Sequence, residues 1–275
     1  MILFMKRRDF FLSSAALAAP FALRPLVADP APGAIKFGVA TYSFREFSRD
    51  NCIRMVKLLN VEYVDIKEFH LPQTDTPKSL VAGRQAFDKA GLKVIGGGNV
   101  TMNETDEAGL RPHFEYAKIV GFPMMIIAPT HENLPLIEKL VKEYDIKVAI
   151  HNHGPEDKNF PTPSSVLDAI AHMDPRMGLC LDIGHTTRAK ANVVQGIIDA
   201  GPRLFEMHFK DLNAANVQVP VGDGVLPIVA IFKQLMKQGY PGTCSLEYEI
   251  EGFDPLPGMQ KSFAYMRGAV AGILG

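Results

Sequence analysis

Short apolar runs alternate along the chain with longer segments in which apolar residues recur every three or four positions. The short runs are IKFGVAT (35–41), EYVDIKE (62–68), LKVIGG (92–97) and PMMIIAP (123–129). They continue with KVAIH (147–151), MGLCLD (177–182), RLFEMHF (203–209) and CSLEYE (244–249). Their length and β-branched content predict strands. Between them, LPLIEKLVKEYD (134–145) and LPIVAIFKQLMKQG (226–239) have helical spacing, with Ile228, Ile231, Phe232 and Leu235 on one face of the second. KAGLKV and KEYDIKV each read as helix end, short loop and next strand.

Eight strands alternating with helices over about 250 residues match a (β/α)8 TIM barrel in a single domain. A doubly wound open sheet is the alternative, but the GxGxxG turn it needs after the first strand is absent. Gly96, Gly97 and Gly98 instead predict a strand end where another backbone approaches closely or φ is positive. No linker-like or low-complexity tract divides the chain.

Strand residues alternate faces, so parity separates the barrel interior from the helix-facing surface. In RLFEMHFKD, Phe205, Met207 and Phe209 form an apolar face, which leaves Leu204, Glu206, His208 and Lys210 pointing inward. By the same count Gly178, Cys180 and Asp182 face inward, as do Ser245, Glu247 and Glu249, and Ala149, His151 and His153. Four successive strands thus carry His151, Asp182, His208 and Glu247 near their carboxyl ends, where barrel enzymes build active sites. Buried charges must be paired or coordinated. Two imidazoles and two carboxylates supply the N and O donors that one Mn²⁺, Zn²⁺, Co²⁺ or Fe²⁺ ion accepts. A hydrogen-bonded polar plug without metal is the competing reading.

Composition is that of a globular protein, 47% hydrophobic and 21% charged over 275 residues. The first stretch is different. Lys6, Arg7 and Arg8 precede a short apolar run from Phe10 to Leu23, and Leu26, Val27 and Ala28 offer a small-residue cleavage site. Paired arginines followed by Asp9, Phe10, Phe11 and Leu12 resemble a twin-arginine signal, so residues 1–28 are expected to direct export to the periplasm. The mature domain is then 29–275, with no membrane association once the signal is removed. Removal takes Lys6, Arg7, Arg8, Arg24 and Asp9 from a chain of net charge −1, leaving −4. An acidic surface argues against nucleic-acid binding. Cys52, Cys180 and Cys244 have no CxxC spacing and read as small buried residues.

LDIGHT, EMHFKDLN and SLEYE, in that order and spacing, resemble the xylose isomerase-like TIM barrel superfamily of sugar isomerases and epimerases. The resemblance runs from FGVATYSFRE to the last strand. It implies a small-molecule carbohydrate substrate and one divalent metal on four ligands, of which Asp182, His208 and Glu247 match residue by residue. It also implies that His185 and Lys210 contact substrate. The fourth ligand departs from the pattern: this chain has His151 in HNHG where the family usually has Glu in a context like ENHG. His151 is therefore read as a ligand and His153 as facing substrate.

The family's epimerases use two metal-bound carboxylates on opposite faces of the substrate. Glu247 can be one such base, but an imidazole that lends its lone pair to a metal cannot also accept a proton. One-base elimination from a keto-sugar, as in the family's inosose dehydratases and 3-keto-glycoside lyases or hydratases, fits His151 better. Asp65 and Lys67 share the inward parity and His70 follows in the loop. Asp65 and His70 are read as substrate-side groups and Lys67 as an acid or anchor, with an internal Asp65–Lys67 ion pair as the alternative. THEN (130–133) reads as a helix start capped by Thr130, His113 and His172 as surface residues, and VGDG (221–224) as a turn. No arginine cluster or phosphate loop is visible, which points to an unphosphorylated sugar. A sugar-binding barrel without catalysis and an endonuclease IV-like repair enzyme are the rival classes. Export, acidity and a single four-ligand set speak against the second. Oligomeric state has no signal in the pattern.

Overall fold

The strand runs read from the sequence form eight parallel strands that close into a barrel in a computed structural model, which describes residues 34–275. The candidate export segment, its cleavage site and the domain boundary at 29 lie outside the described residues. The strands are β1 (Lys36–Ala40), β2 (Tyr63–Ile66), β3 (Lys93–Thr101), β4 (Met124–Ala128), β5 (Lys147–His151), β6 (Met177–Asp182), β7 (Leu204–Phe209) and β8 (Thr243–Leu246). Each pairs with its chain neighbours, and β1 pairs with β8 to close the ring. Outside lie α1 (Arg49–Leu58), α2 (Pro77–Lys89), α3 (Glu107–Val120), α4 (Leu134–Tyr144) and α5 (Pro163–Ile170). They are followed by α6 (Ile183–Arg188), α7 (Val193–Ala200), α8 (Ile228–Lys237) and α9 (Leu256–Leu274). Among the described residues no helix is long and apolar enough to cross a membrane.

Alternation along the strands builds two apolar layers. Outward residues such as Val148, Ile150, Leu179, Leu181, Met207 and Phe209 pack under the helices, with Phe209 stacked on Phe232 of α8 at 5.1 Å. Inward residues Met124, Ile126, Ala149 and Cys180 fill the lower barrel. Residues above them on the same faces, toward the carboxyl ends, are polar. Burial of this apolar surface is what holds the ring closed.

Two expectations are corrected. The β6–β7 register shifts between Leu179 and Cys180, whose partners are Leu204 and Glu206, so Phe205 is an extra residue on β7. Such a bulge reverses parity before it: Leu204 joins the helix-facing core, and Phe205 turns inward onto Met124, Ile126, Ala149 and Cys180. Gly178 makes room, since a Cβ there would overlap the Phe205 ring. The second correction concerns α4, which starts at Leu134 rather than in THEN; Thr130 Oγ1 accepts from Asn133 N–H in the turn before it.

The glycine run extends β3 beyond the expected 92–97. A Cβ at Gly96 would lie 2.8 Å from Met124 O, and Gly98 has φ +149°, so close approach and positive φ both occur. Cys52, Cys180 and Cys244 are buried free thiols. His172 is exposed, whereas His113 is partly buried, with Nδ1 3.0 Å from Gln73 Oε1 and Nε2 3.3 Å from Glu104 Oε1. VGDG is a turn whose Gly222 and Gly224 amides donate to Asp211 Oδ2. A cavity of about 870 Å³ opens at the amino-terminal face, lined by Tyr63, Val94, Met124, Phe205 and Thr243, away from the polar end.

Candidate metal centre

His151 ends β5, Asp182 ends β6, His208 lies in β7 and Glu247 follows the last residue of β8. Parallel strands in register bring these ends together, and one ligating atom from each of the four lies within 4.8 Å of the others. His151 Nε2 is 3.6 Å from Asp182 Oδ2, and His208 Nδ1 is 3.4 Å from Glu247 Oε2. All four are buried, yet both nitrogens of His151 and both of His208 have no hydrogen-bond partner. Orphaned buried polar atoms are costly. Their convergence, and the mixed imidazole and carboxylate donors, fit a divalent cation such as Mn²⁺, Fe²⁺, Co²⁺ or Zn²⁺.

Local structure aims these groups. Asp182 caps α6, with Oδ1 accepting from His185 N–H at 2.7 Å, so Oδ2 is left for the centre. Asn152, between the two histidines of HNH, has opposite parity and is fully buried. Its Oδ1 accepts from Asp182 N–H at 3.0 Å and its Nδ2 donates to Thr186 Oγ1 at 3.1 Å, tying the end of β5 to β6. Gln218 does the same above β8, donating to Glu247 O and accepting from Glu249 N–H. Asp211 accepts the amides of Leu212, Gly222, Gly224 and Leu226, which shapes the glycine-rich loop.

Lys210 enters this cluster as a buried cation. Nζ is 2.7 Å from Glu247 Oε2, 3.0 Å from Asp182 Oδ2, and bonded to Glu249 Oε1. Burial disfavours the charged forms of Asp182 and Glu247, but the Lys210 ammonium and the neighbouring histidines together outweigh it, His185 and His151 at Asp182 and His208 and His151 at Glu247, and hold both carboxyls well below the usual range. Burial also opposes charge on Lys210, and those carboxylates raise it well above an ordinary lysine. Burial lowers His151. Burial, with Lys210 adding, lowers His185 to about 4, so that ring is neutral at neutral pH. His185 Nε2 is 3.4 Å from Lys210 Nζ. His153 is exposed at the rim, its ring 4.4 Å from His185 and 5.6 Å from His151 between centroids.

The other residues singled out from the sequence spread apart. Asp65 is buried on the far side of His208, Oδ2 to Nε2 4.0 Å, and burial pushes its carboxyl up to about 7. The Lys67 ammonium is bonded to Asn99 O, beside a groove of about 290 Å³ lined by Gln73, Asn99, Thr101 and His113. His70 lies under the first loop, Nε2 3.2 Å from Phe47 O, with Nδ1 unpartnered. Sequence reasoning passed over Asn152, Asp211, Glu249 and Glu206. Only Glu206 and Glu249 had a parity signal. Glu206 sits below the centre, accepting from Ser245 Oγ at 2.6 Å, and burial raises its carboxyl well above the usual range.

Solved structures share the fold. D-psicose 3-epimerase of Clostridium cellulolyticum, with D-tagatose, superposes with a TM-score of 0.72 at 15% identity, over 86% of this chain and 99% of that one. The 3-keto-D-glucoside 4-epimerase of E. coli gives 0.69 at 17% identity, over 86% and 100%. The probable 3-DHS dehydratase of Bacillus anthracis gives 0.67 at 13% identity, over 85% and 99%. No curated protein sequence matches the chain. The family model described as "Xylose isomerase-like TIM barrel" matches residues 53–269. The chain belongs to the xylose isomerase-like TIM barrel family.

Proposed function

We propose that the protein is a divalent-metal-dependent enzyme that abstracts a proton next to a carbonyl of an unphosphorylated carbohydrate. The observation that carries this reading is the convergence of His151, Asp182, His208 and Glu247, with the imidazole nitrogens of both histidines unpartnered, at the carboxyl end of the barrel. These four would hold the ion. When bound there, it supplies Lewis-acid polarisation of the substrate carbonyl, worth several kcal/mol in the transition state.

Glu247, ionised at neutral pH, accepts the proton from the carbon beside the carbonyl. Lys210 offers positive charge to the developing oxyanion. Neutral His185 orients substrate hydroxyls through hydrogen bonds. His153, exposed beside it, would pass a proton to the leaving group.

Sugar isomerisation or epimerisation is the family-level activity, and elimination from or hydration of a keto-sugar is the second reading. His151 favours the second, because a ligating imidazole cannot serve as the second base that the family's epimerases place opposite Glu247. Solved barrels of both kinds, two sugar epimerases and a probable dehydratase, support the breadth of the proposal. Incubation in deuterated water with free ketoses and, separately, with 3-keto-glycosides distinguishes them. Released aglycone without epimer assigns elimination, and deuterated epimer without release assigns epimerisation. Bound sugar with no deuterium exchange leaves a binding barrel and overturns the enzyme reading.

Export rests on Arg7, Arg8 and the apolar run after them. Amino-terminal sequencing of periplasmic protein should read from residue 29, and a mature chain that retains residue 1 in the cytoplasm would refute it.

A further inference from the structure

The Lys210 ammonium sits against the carboxylate oxygens that a metal ion would use. It contacts Glu247 Oε2 and Asp182 Oδ2, the latter being the oxygen that also faces His151. Its third partner differs in kind. The Glu249 side chain is 37% exposed, against 0% for Asp182 and 4% for Lys210. One flexible side chain therefore reaches both a fully buried carboxylate and a half-exposed one. Its stem runs along Gly184, where a Cβ would overlap Lys210 Cγ, so the absence of a side chain there keeps the track open.

A divalent ion and an ammonium on the same two oxygens repel each other strongly in a low-dielectric site. One buried carboxylate left without any cation is equally unfavourable. Occupation by either cation satisfies the pair, and occupation by both does not.

We propose that Lys210 is the resident counter-ion of this centre: it pairs with Asp182, Glu247 and Glu249 together when no metal is bound and withdraws to Glu249 alone when a divalent ion enters. Metal binding then includes the displacement of Lys210, and delivers its ammonium to the open end where substrate arrives. The inference rests on the metal reading above. It assigns Glu249, a residue outside the four ligands, as the positioning residue that accepts Lys210 in the loaded state.

The test is calorimetric titration of Mn²⁺ into the metal-stripped mature protein, with melting temperatures in chelator and in Mn²⁺. Lys210→Met, which keeps the stem and removes the competing charge, should bind Mn²⁺ about tenfold tighter than wild type. It should also melt lower in chelator and gain more from the metal. Glu249→Gln, at a half-exposed position, should fold normally and bind Mn²⁺ about tenfold more weakly, because Lys210 loses the carboxylate it would keep once the ion is bound. Wild-type binding with no tightening in Lys210→Met, or unchanged affinity in Glu249→Gln, overturns the exchange alone. If neither wild type nor Lys210→Met binds Mn²⁺, Zn²⁺ or Co²⁺, the metal reading falls and the exchange with it.

Discussion

Asp65 Oδ2 stands 4.0 Å from His208 Nε2, on the edge of the ring opposite Glu247, whose Oε2 is 3.4 Å from Nδ1. Metal-ligating histidines commonly direct their second ring nitrogen to a carboxylate, which fixes the ring and strengthens the ligand. If His208 ligates through Nδ1, Asp65 is the carboxylate that faces its second nitrogen. Asp65→Asn should reduce divalent-metal affinity by about 10- to 100-fold. An unchanged metal affinity with a raised KM would instead return Asp65 to the substrate side.

His151 replaces the carboxylate usual at its position, which removes a hard oxygen donor from the set. His151→Glu should keep the ion and raise the ratio of Mn²⁺ to Zn²⁺ affinity by roughly tenfold, because carboxylate suits Mn²⁺ and imidazole suits Zn²⁺. Competition dialysis with both ions reads this ratio. A variant that binds neither would show that His151 is needed for the site's shape and not only as a donor.

The inward turn of Phe205 depends on Gly178. Gly178→Ala places a methyl into the Phe205 ring and should destabilise the fold by about 1–3 kcal/mol. Adding Phe205→Leu should recover part of the loss, a coupling visible in urea midpoints of the double-mutant cycle. Additive effects would mean that the ring does not press on residue 178.

His70 is lowered below an ordinary histidine, by burial above all. Its folded form therefore refuses a proton that the unfolded chain takes up below about pH 6.5. Below that pH the unfolded state binds more protons, so stability falls as pH drops from 7 toward 5. Removing this titration in His70→Gln, whose amide can still donate to Phe47 O, should flatten the fall in melting temperature. An equally steep fall in the variant would place the acid sensitivity at other groups.

Much of the barrel was legible because each strand had to be apolar on its helix-facing side. That requirement is local and of period two, so Val148, Ile150, Leu179 and Leu181 revealed the phase of β5 and β6 directly. The same phase turned His151, Asp182, His208 and Glu247 inward, and strand order placed them at one end. Parity failed at Leu204 and Phe205, where the extra residue on β7 appears only against the partner strand. His70 and Lys67 could not be placed from spacing, because loop side chains go where neighbouring carbonyls such as Phe47 O and Asn99 O lie.

The sequence by itself determined the alternation of strands and helices, the side that the carboxyl ends of β5 to β8 turn inward and the polar residues they carry there. These follow from hydrophobic periodicity, which a chain carries along its own length. Only the tertiary structure decided that Asp65 faces His208, that Asn152 ties β5 to β6, and that Lys210 lies between Asp182, Glu247 and Glu249. Those relationships join residues up to about 140 positions apart. Their strength comes from a shared low-dielectric interior that no local stretch possesses.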